Sequence, residues 1–288
     1  MPAGHNPAGS RKRLGATLRS LRNRTGMTLE QLGELVGVDR TQLGRVENGK
    51  WRVDVGQVME ILDNLRLEQG EYDKVVLLAR AASQKGWWKA FRGPAFERQR
   101  GLAELEAGTS EIHEFGTVFV PGLLQTEEYS RVRFTDDRVF AKPQDIDSAV
   151  KARLMRQRLF DDETFRYELL LDEAVLLRRS CPADIMQRQL EYLAAIGNDR
   201  PNVIVRVVEL NSPVHERTTW LTGFSLFAYQ DSDEPNIVFV ETLTYDPVLD
   251  DQEDIDWYER LFTELRDAAA SPEDSSKLIR AAAKRIDW

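Results

Sequence analysis

The sequence predicts a small all-α domain followed by an α+β domain with a mostly antiparallel sheet. Apolar residues recur at helical spacing through residues 14–82, whereas the later part mixes helical patterns with short apolar runs such as 203–209 and 236–241. Charge divides the chain in the same way. Residues 11–52 contain ten Lys/Arg against four Asp/Glu, and residues 81–288 contain 26 against 38. The basic N-terminal part of the chain, which we call the head, suits a polyanionic partner. The acidic C-terminal part, which we call the body, would be repelled by such a partner.

These patterns predict four segments. They are a disordered basic tail (1–13), a helical domain (14–82), a linker (83–100) and an α+β domain (101–288). Glycine and proline interrupt the periodicity in the linker, and we expect its aromatic residues to dock it on a domain or on a second subunit. Those aromatic residues are Trp87, Trp88 and Phe91.

Residues 28–49 carry the most informative pattern, two short helices joined by a tight turn. Thr28 with Gln31 forms a capping box for the first helix, and Gly37 is a typical C-cap. Asp39 can cap the second helix, and Asn48-Gly49 ends it. This pattern is typical of the helix-turn-helix motif, whose second helix enters the DNA major groove.

Small residues distinguish this motif from an ordinary helical hairpin. We expect Gly33 to lie where two steeply crossed helices nearly touch, and Val38 to fill the angle between them. The outward positions of the second helix carry side chains that can hydrogen-bond base edges or phosphates. They are Arg40, Thr41, Gln42 and Arg45. A surface hairpin with exposed arginines is the alternative.

The other elements follow from periodicity. A first helix contains Leu14, Leu18 and Leu21, a fourth begins after Asp54, and a fifth spans about 72–82. Further helices are predicted at 101–114, 126–134, 145–160, 173–178, 182–197, 252–269 and 274–285, and strands at 116–120, 165–171, 203–209, 223–229 and 236–241.

The sequence does not indicate an enzyme, a cofactor or a metal. Its three histidines are scattered, the single Cys181 excludes an intramolecular disulfide, and no hydrolase, phosphate-loop or dinucleotide motif occurs. Acidic residues at 250–256 suggest either a cation site or favourable charge at a helix start. Without a signal peptide or a long apolar run, a cytoplasmic protein is expected.

The head resembles the lambda-repressor-like, XRE-family DNA-binding domain over about residues 14–82. Thr-Leu-Glu-Gln-Leu-Gly, the Gly37 turn and Arg-Val-Glu-Asn-Gly carry the resemblance. It implies that Arg40, Thr41 and Arg45 face bases. It also implies a structural ion pair between Arg22 and Glu47. The phosphate contacts it implies are Thr28, Gln42, Asn48 and Lys50.

The body resembles the C-terminal domain of a group of actinobacterial antitoxin-like (WhiJ-like) regulators, each usually encoded beside a small partner protein. Val-Pro-Gly-Leu-Leu-Gln-Thr-Glu-Glu-Tyr at 120–129 and Leu-Asp-Glu-Ala-Val-Leu-Leu-Arg at 171–178 carry this resemblance. Gln125, Tyr129 and His215 are candidates for a partner or ligand site. A structural role for the 120–129 segment is the alternative.

Together these observations predict a transcriptional regulator that binds double-stranded DNA as a homodimer on an inverted repeat. In one hypothesis, the α+β domain binds a small protein encoded nearby. In the other, it senses a small molecule in an internal pocket. Trp87, Trp88 and the final helices are candidates for the dimer interface.

Overall fold

The computed structural model describes residues 7–49, 54–65, 67–83, 96–136, 143–214, 222–229, 236–242 and 246–286. These residues form two compact units. The first unit contains the described residues before 84 together with 100–109, and the second contains 96–99 and the described residues from 110 onward. The aromatic residues of the predicted linker lie outside the described residues.

The described residues of the first unit before residue 84 are helical. Their helices are α1 (Pro7–Arg24), α2 (Leu29–Val36), α3 (Arg40–Glu47), α4 (Val55–Leu65) and α5 (Gln69–Ser83).

The start of α1 corrects the predicted disordered tail. The helix begins at Pro7, well before the expected start at residue 14. Proline is favoured in the first turn of a helix, because its missing N–H would have no helical partner there. The prediction for residues 1–6 lies outside the described residues.

The predicted apolar stripes of the helices meet in one buried core. In this core, α1 packs against α3 and α5, and α2 packs against α3 and α4. Its most deeply buried members are Leu14, Leu18, Leu32, Leu43, Val58, Ile61, Leu62, Ala79 and Ala82. These contacts hold α2 and α3 in a fixed relation, which positions the outward residues of α3.

The remaining elements alternate between helices and strands. They are α6 (Glu97–Glu106), β1 (Thr109–Gly116), α7 (Glu127–Asp136), α8 (Pro143–Arg156), β2 (Arg166–Asp172), α9 (Glu173–Leu177), α10 (Ala183–Asp199), β3 (Val203–Val208), β4 (Phe224–Tyr229), β5 (Ile237–Val240), β6 (Val248–Leu249), α11 (Gln252–Ala268) and α12 (Pro272–Lys284), with 3-10 turns at Gly122–Leu124 and Gln157–Asp161.

The first strand corrects a sequence prediction. Residues 109–116 form β1, where the helix 101–114 and the strand 116–120 were expected. Gly108 adopts a φ of +89°, which ends the helical path after α6 and redirects the chain. The apolar residues Ile112 and Phe115 then fall on the strand as buried positions.

The sheet is mixed, which corrects the expected mostly antiparallel sheet. Its order is β3-β2-β1-β4-β5-β6. The pairs β1–β2 and β2–β3 are parallel, whereas β4–β5 and β5–β6 are antiparallel. Parallel pairs need crossover connections, and the helices α7 to α10 supply them. The prediction failed because it took the close spacing of the later strands as typical of the whole sheet.

The β3 edge of the sheet is closed by the C-terminal part of the chain. The backbone N–H of Val207 donates to Oγ of the buried Ser275 on α12 at 2.9 Å. The N–H of Ala270 donates to the carbonyl of Val207, also at 2.9 Å. At Val207 the edge is therefore not open for pairing with another chain.

Candidate nucleic-acid interface

The start of α2 has the predicted capping box. The N–H of Gln31 donates to Oγ1 of Thr28 at 3.2 Å, and the N–H of Thr28 donates to Oε1 of Gln31 at 2.9 Å. Gly37 ends the helix with a φ of +64° and donates its N–H to the carbonyl of Gly33. The turn geometry predicted for this motif is therefore confirmed.

Gly33 is confirmed as a position of close approach, although its neighbour differs from the one expected. A Cβ at this position would lie 2.5 Å from the carbonyl oxygen of Val38, in the turn, and 3.8 Å from the nitrogen of Arg40 on α3. The turn backbone, rather than the second helix, therefore limits the side chain. Val38 is buried in the angle as predicted.

Asp39 caps the start of α3. Its Oδ1 accepts hydrogen bonds from the N–H of Thr41 at 2.8 Å and from that of Gln42 at 3.3 Å. The hydrogen bond from Thr41 is the main cause that lowers the pKa of Asp39 below its usual value. The cap fixes the first turn of the helix whose outward side chains would face DNA.

A contact between α1 and α3 was missed by sequence reasoning. A Cβ at the buried Gly15 would lie 2.6 Å from the carbonyl oxygens of both Val46 and Glu47. Only glycine lets α1 approach the end of α3 this closely. The signal was present, since Gly15 follows Leu14 on the apolar stripe of a helix.

The predicted ion pair between Arg22 and Glu47 is present. Nε donates to Oε1 at 2.7 Å and Nη2 donates to Oε2 at 2.9 Å, while Nη1 donates to the carbonyl of Met27 at 2.8 Å. The Glu47 side chain is only 2% exposed, and that of Arg22 is 12% exposed. The hydrogen bonds to Glu47 raise the pKa of Arg22 above its usual value. This pair ties α1 to the C-terminal end of α3.

The outward face of α3 carries the three residues expected to contact bases. Arg40, Thr41 and Arg45 are exposed, and Gln42 is half-buried. The Arg40 Nη1 atom lies 2.8 Å from Oε1 of Glu30 on α2. Glu30 was not predicted as part of the interface, because its contact with Arg40 depends on how α2 and α3 cross.

The residues that the resemblance implied as phosphate contacts lie in different environments. Thr28 is exposed at the start of α2, where its hydroxyl can still donate. Asn48 acts within the chain, because Nδ2 donates to the carbonyl of Gly44 at 2.7 Å and Oδ1 accepts from Nη2 of Arg19. Arg19 is a further exposed cation at this end of α3 that sequence reasoning missed. Lys50 lies outside the described residues.

Gln125 and Tyr129 support the structural alternative for their segment. Gln125 is 5% exposed; its Nε2 donates to the carbonyl of Val120 at 2.6 Å, and its Oε1 accepts from Arg153. Tyr129 is fully buried with its hydroxyl 3.1 Å from Oγ of Ser180, and burial raises its pKa. Neither side chain is placed to meet a partner. The third candidate, His215, lies outside the described residues.

The acidic residues near α11 act as helix-start charges. Asp251 caps α11 by accepting from the N–H of Glu253 at 3.0 Å. In the described ranges, no three His, Cys, Asp or Glu side chains come together as metal ligands would. No described helix has both the length and the hydropathy needed to cross a membrane.

Comparison with known families agrees with the two-part organisation. A family model described as "Helix-turn-helix domain" matches residues 13–74, which supports the predicted XRE-like helix-turn-helix class for the head. The chain belongs to the family described as "Domain of unknown function (DUF5753)", whose model matches residues 99–281, more than half of the chain. The antitoxin-like character of the body stays a prediction. No curated protein and no solved structure matches the chain.

Proposed function

We propose that the protein is a sequence-specific transcriptional regulator that reads DNA through α3. The observation that carries the proposal is the rigid α2–turn–α3 unit, in which Arg40, Thr41 and Arg45 point outward from a capped helix. Arginine donates bidentately to guanine and threonine contacts the thymine methyl group, so these residue types suit base readout in the major groove.

The charge distribution supports DNA as the ligand of the head alone. Residues 11–52 have a net charge of +6, whereas residues 81–288 have a net charge of −12. Cations on the head would release counterions from the phosphates and make the affinity depend on salt. The acidic body would be held away from the polyanion by repulsion.

We propose a homodimer as the form that binds DNA. One recognition helix reads only about half of a typical site, so two heads spaced by one helical turn would read an inverted repeat. A dimer also doubles the number of phosphate contacts, which raises affinity without a new kind of contact.

We also propose that DNA binding is controlled through the C-terminal domain. Binding of a small partner protein there would change the spacing or the accessibility of the two heads and so shift DNA affinity. The resemblance of the C-terminal domain to regulators that are each usually encoded beside a small partner protein favours the protein partner over the small molecule.

Selection of bound fragments from a randomised DNA pool tests the proposal. The wild type should enrich a shared inverted repeat, and Arg40→Ala/Arg45→Ala should lose that enrichment. Arg80→Ala, which removes an exposed arginine at the end of α5, is the matched control and should behave as the wild type. Equal enrichment of arbitrary fragments by all three proteins would contradict sequence-specific readout. Absence of any retention near physiological salt would contradict DNA binding itself.

A further inference from the structure

The C-terminal end of α3 carries a polar side chain on the same face as the residues proposed to read bases. Thr41, Arg45 and Asn48 are exposed and follow each other at helical spacing, at i, i+4 and i+7. In helix-turn-helix complexes, the N-terminal residues of the second helix contact base edges. Asn48, seven residues after Thr41, would therefore face the sugar-phosphate backbone that borders the groove.

The side chain of Asn48 is held by two hydrogen bonds within the chain. Nδ2 donates to the carbonyl of Gly44 at 2.7 Å, and Oδ1 accepts from Nη2 of Arg19. An amide also carries no charge that could replace a counterion of the DNA. Asn48 therefore orients a cation at this end of α3 and supplies no charge of its own.

Arg19 on α1 places that cation at the C-terminal end of α3. Its Nη2 also donates to the carbonyl of Glu47 at 3.3 Å, and its Nε lies 3.7 Å from Oε2 of Glu47. Carbonyl oxygens at a helix C-terminus attract a cation, so the guanidinium is fixed from one side. Within the described part of the chain its Nη1 forms no hydrogen bond, and the side chain is 46% exposed. The two N–H groups of Nη1 are thus open to a ligand from solvent.

The charge that this corner of the head presents to solvent is positive. Arg19 and Arg22 share the Glu47 carboxylate, which is 2% exposed and bound by two hydrogen bonds from Arg22. The hollow beside Arg19 contains no carboxylate, and Glu71, which lies next to it, is bound by two hydrogen bonds from Arg24. The other residues that line this hollow are Ala16, Ser20, Asn23 and Arg24.

We infer that Arg19 contacts a DNA phosphate at the end of α3, in the role that the resemblance gave to Asn48. Nη1 of Arg19 donates to a phosphate oxygen, while Asn48 and the carbonyl of Glu47 orient the guanidinium. Such a contact fixes the register of α3 on the duplex and carries no sequence information. This inference deepens the proposed function, on which it rests, by adding a contact from α1 to the DNA-binding surface.

Titrations of the full chain with DNA at about 50 and 200 mM salt test the inference. The probes are a duplex that the wild type selects and a scrambled duplex. One phosphate contact contributes about −0.9 to the slope of log K against log salt, so the advantage of the wild type over Arg19→Met should shrink about threefold over this range. The loss of affinity should be similar on both duplexes, because a phosphate contact does not depend on sequence. Arg19→Lys keeps the charge and should keep the slope.

Arg80→Met and Asn48→Ala are the matched controls. Arg80→Met removes an exposed arginine at the end of α5 and should keep the affinity and the slope of the wild type. Asn48→Ala leaves the cation of Arg19 in place, so it should weaken binding less than Arg19→Met and keep the slope. Urea unfolding of Arg19→Met measures any loss of stability, which by itself would not change the salt slope.

Three results would overturn the inference. An unchanged slope in Arg19→Met would show that Arg19 replaces no counterion. A loss of affinity confined to the selected duplex would mean that Arg19 only holds α3 in place. A larger loss in Asn48→Ala than in Arg19→Met would return the phosphate contact to Asn48. Each of these results would leave the proposed function standing, whereas absence of DNA binding by the wild type would contradict the proposed function and this inference with it.

Discussion

The guanidinium of Arg22 on α1 forms two parallel hydrogen bonds with the carboxylate of Glu47 on α3, at 2.7 and 2.9 Å. The carboxylate is almost completely buried beneath the helix proposed to read DNA. A buried charge is tolerated only when it is paired, so this contact joins the stability of the head to the position of its outward residues.

Replacing Arg22 by methionine should destabilise the head by about 3 kcal/mol, because it leaves the buried Glu47 carboxylate with the longer contact to Arg19, whose Nε lies 3.7 Å from Oε2. Urea unfolding followed by circular dichroism measures the loss. The double variant Arg22→Met/Glu47→Leu should recover much of it, since an apolar pair of similar size removes the unpaired charge.

Arg24→Met supplies the matched control for that experiment. Arg24 also forms a two-bond pair, with Glu71, but both side chains are exposed to solvent. Exposed pairs contribute little, so the loss of stability should be much smaller. Equal losses for Arg22→Met and Arg24→Met would mean that burial of the first pair does not matter.

Gly33→Ala should weaken DNA binding by displacing the turn between α2 and α3. The new Cβ would lie 2.5 Å from the carbonyl oxygen of Val38, which is part of the backbone and has little freedom to move. Gly70→Ala on α5 is the control, because no atom lies within 4 Å of its Cβ position. It should be neutral or slightly stabilising, as alanine is the better helix former. Unchanged DNA affinity in Gly33→Ala would show that the turn adapts.

Asp39→Asn should remove a pH-dependent part of the stability of the head. Hydrogen bonds from α3 lower the pKa of Asp39 in the folded state. Its contribution is therefore fully present above the unfolded-state pKa of about 3.9 and is lost as the pH falls through the lower folded value. Urea midpoints of the wild type and the variant should differ at neutral pH and converge in acid. A difference that stays constant with pH would argue against a role for the charge.

Glu30→Gln should increase DNA affinity by up to about fivefold, the range expected for an exposed ion pair. The carboxylate of Glu30 forms an ion pair with the guanidinium of Arg40. This ion pair must break before Arg40 can reach a base. Glu34→Gln, an exposed glutamate on the same helix, measures the general effect of removing a negative charge near DNA. The extra gain of Glu30→Gln should disappear in an Arg40→Ala background. Weaker binding by Glu30→Gln would mean that Glu30 positions Arg40 or contacts a base itself.

The helix-turn-helix could be predicted closely because its signals are local. Caps such as Thr28 and Asp39 and the turn glycine act within a few residues, and their chemistry is visible in the sequence. The Arg22–Glu47 pair came from the resemblance. The Arg40–Glu30 contact was missed because it depends on how two helices cross.

The sheet was predicted less well because strand partners are not local. Short apolar runs locate β3 and β5, but nothing in them shows whether a neighbour is parallel. The direction of the β1–β2–β3 pairs depends on where helices α7 to α10 return the chain. Whether Gln125 has a structural role or binds a partner could not be decided from the sequence, because the deciding contacts are again not local. Its burial depends on Arg153 and Gln157, which lie far along the sequence.

Comparison of specific and nonspecific binding tests the central claim most directly. Equilibrium titrations near physiological salt would give the Kd of the wild type and of Arg45→Ala for the selected site and for a scrambled duplex. We expect the wild type to prefer its site by at least about 10³-fold. Arg45→Ala should lose about 1–3 kcal/mol of that preference, with little change on scrambled DNA. Equal affinity of both proteins for both duplexes would contradict base readout by α3.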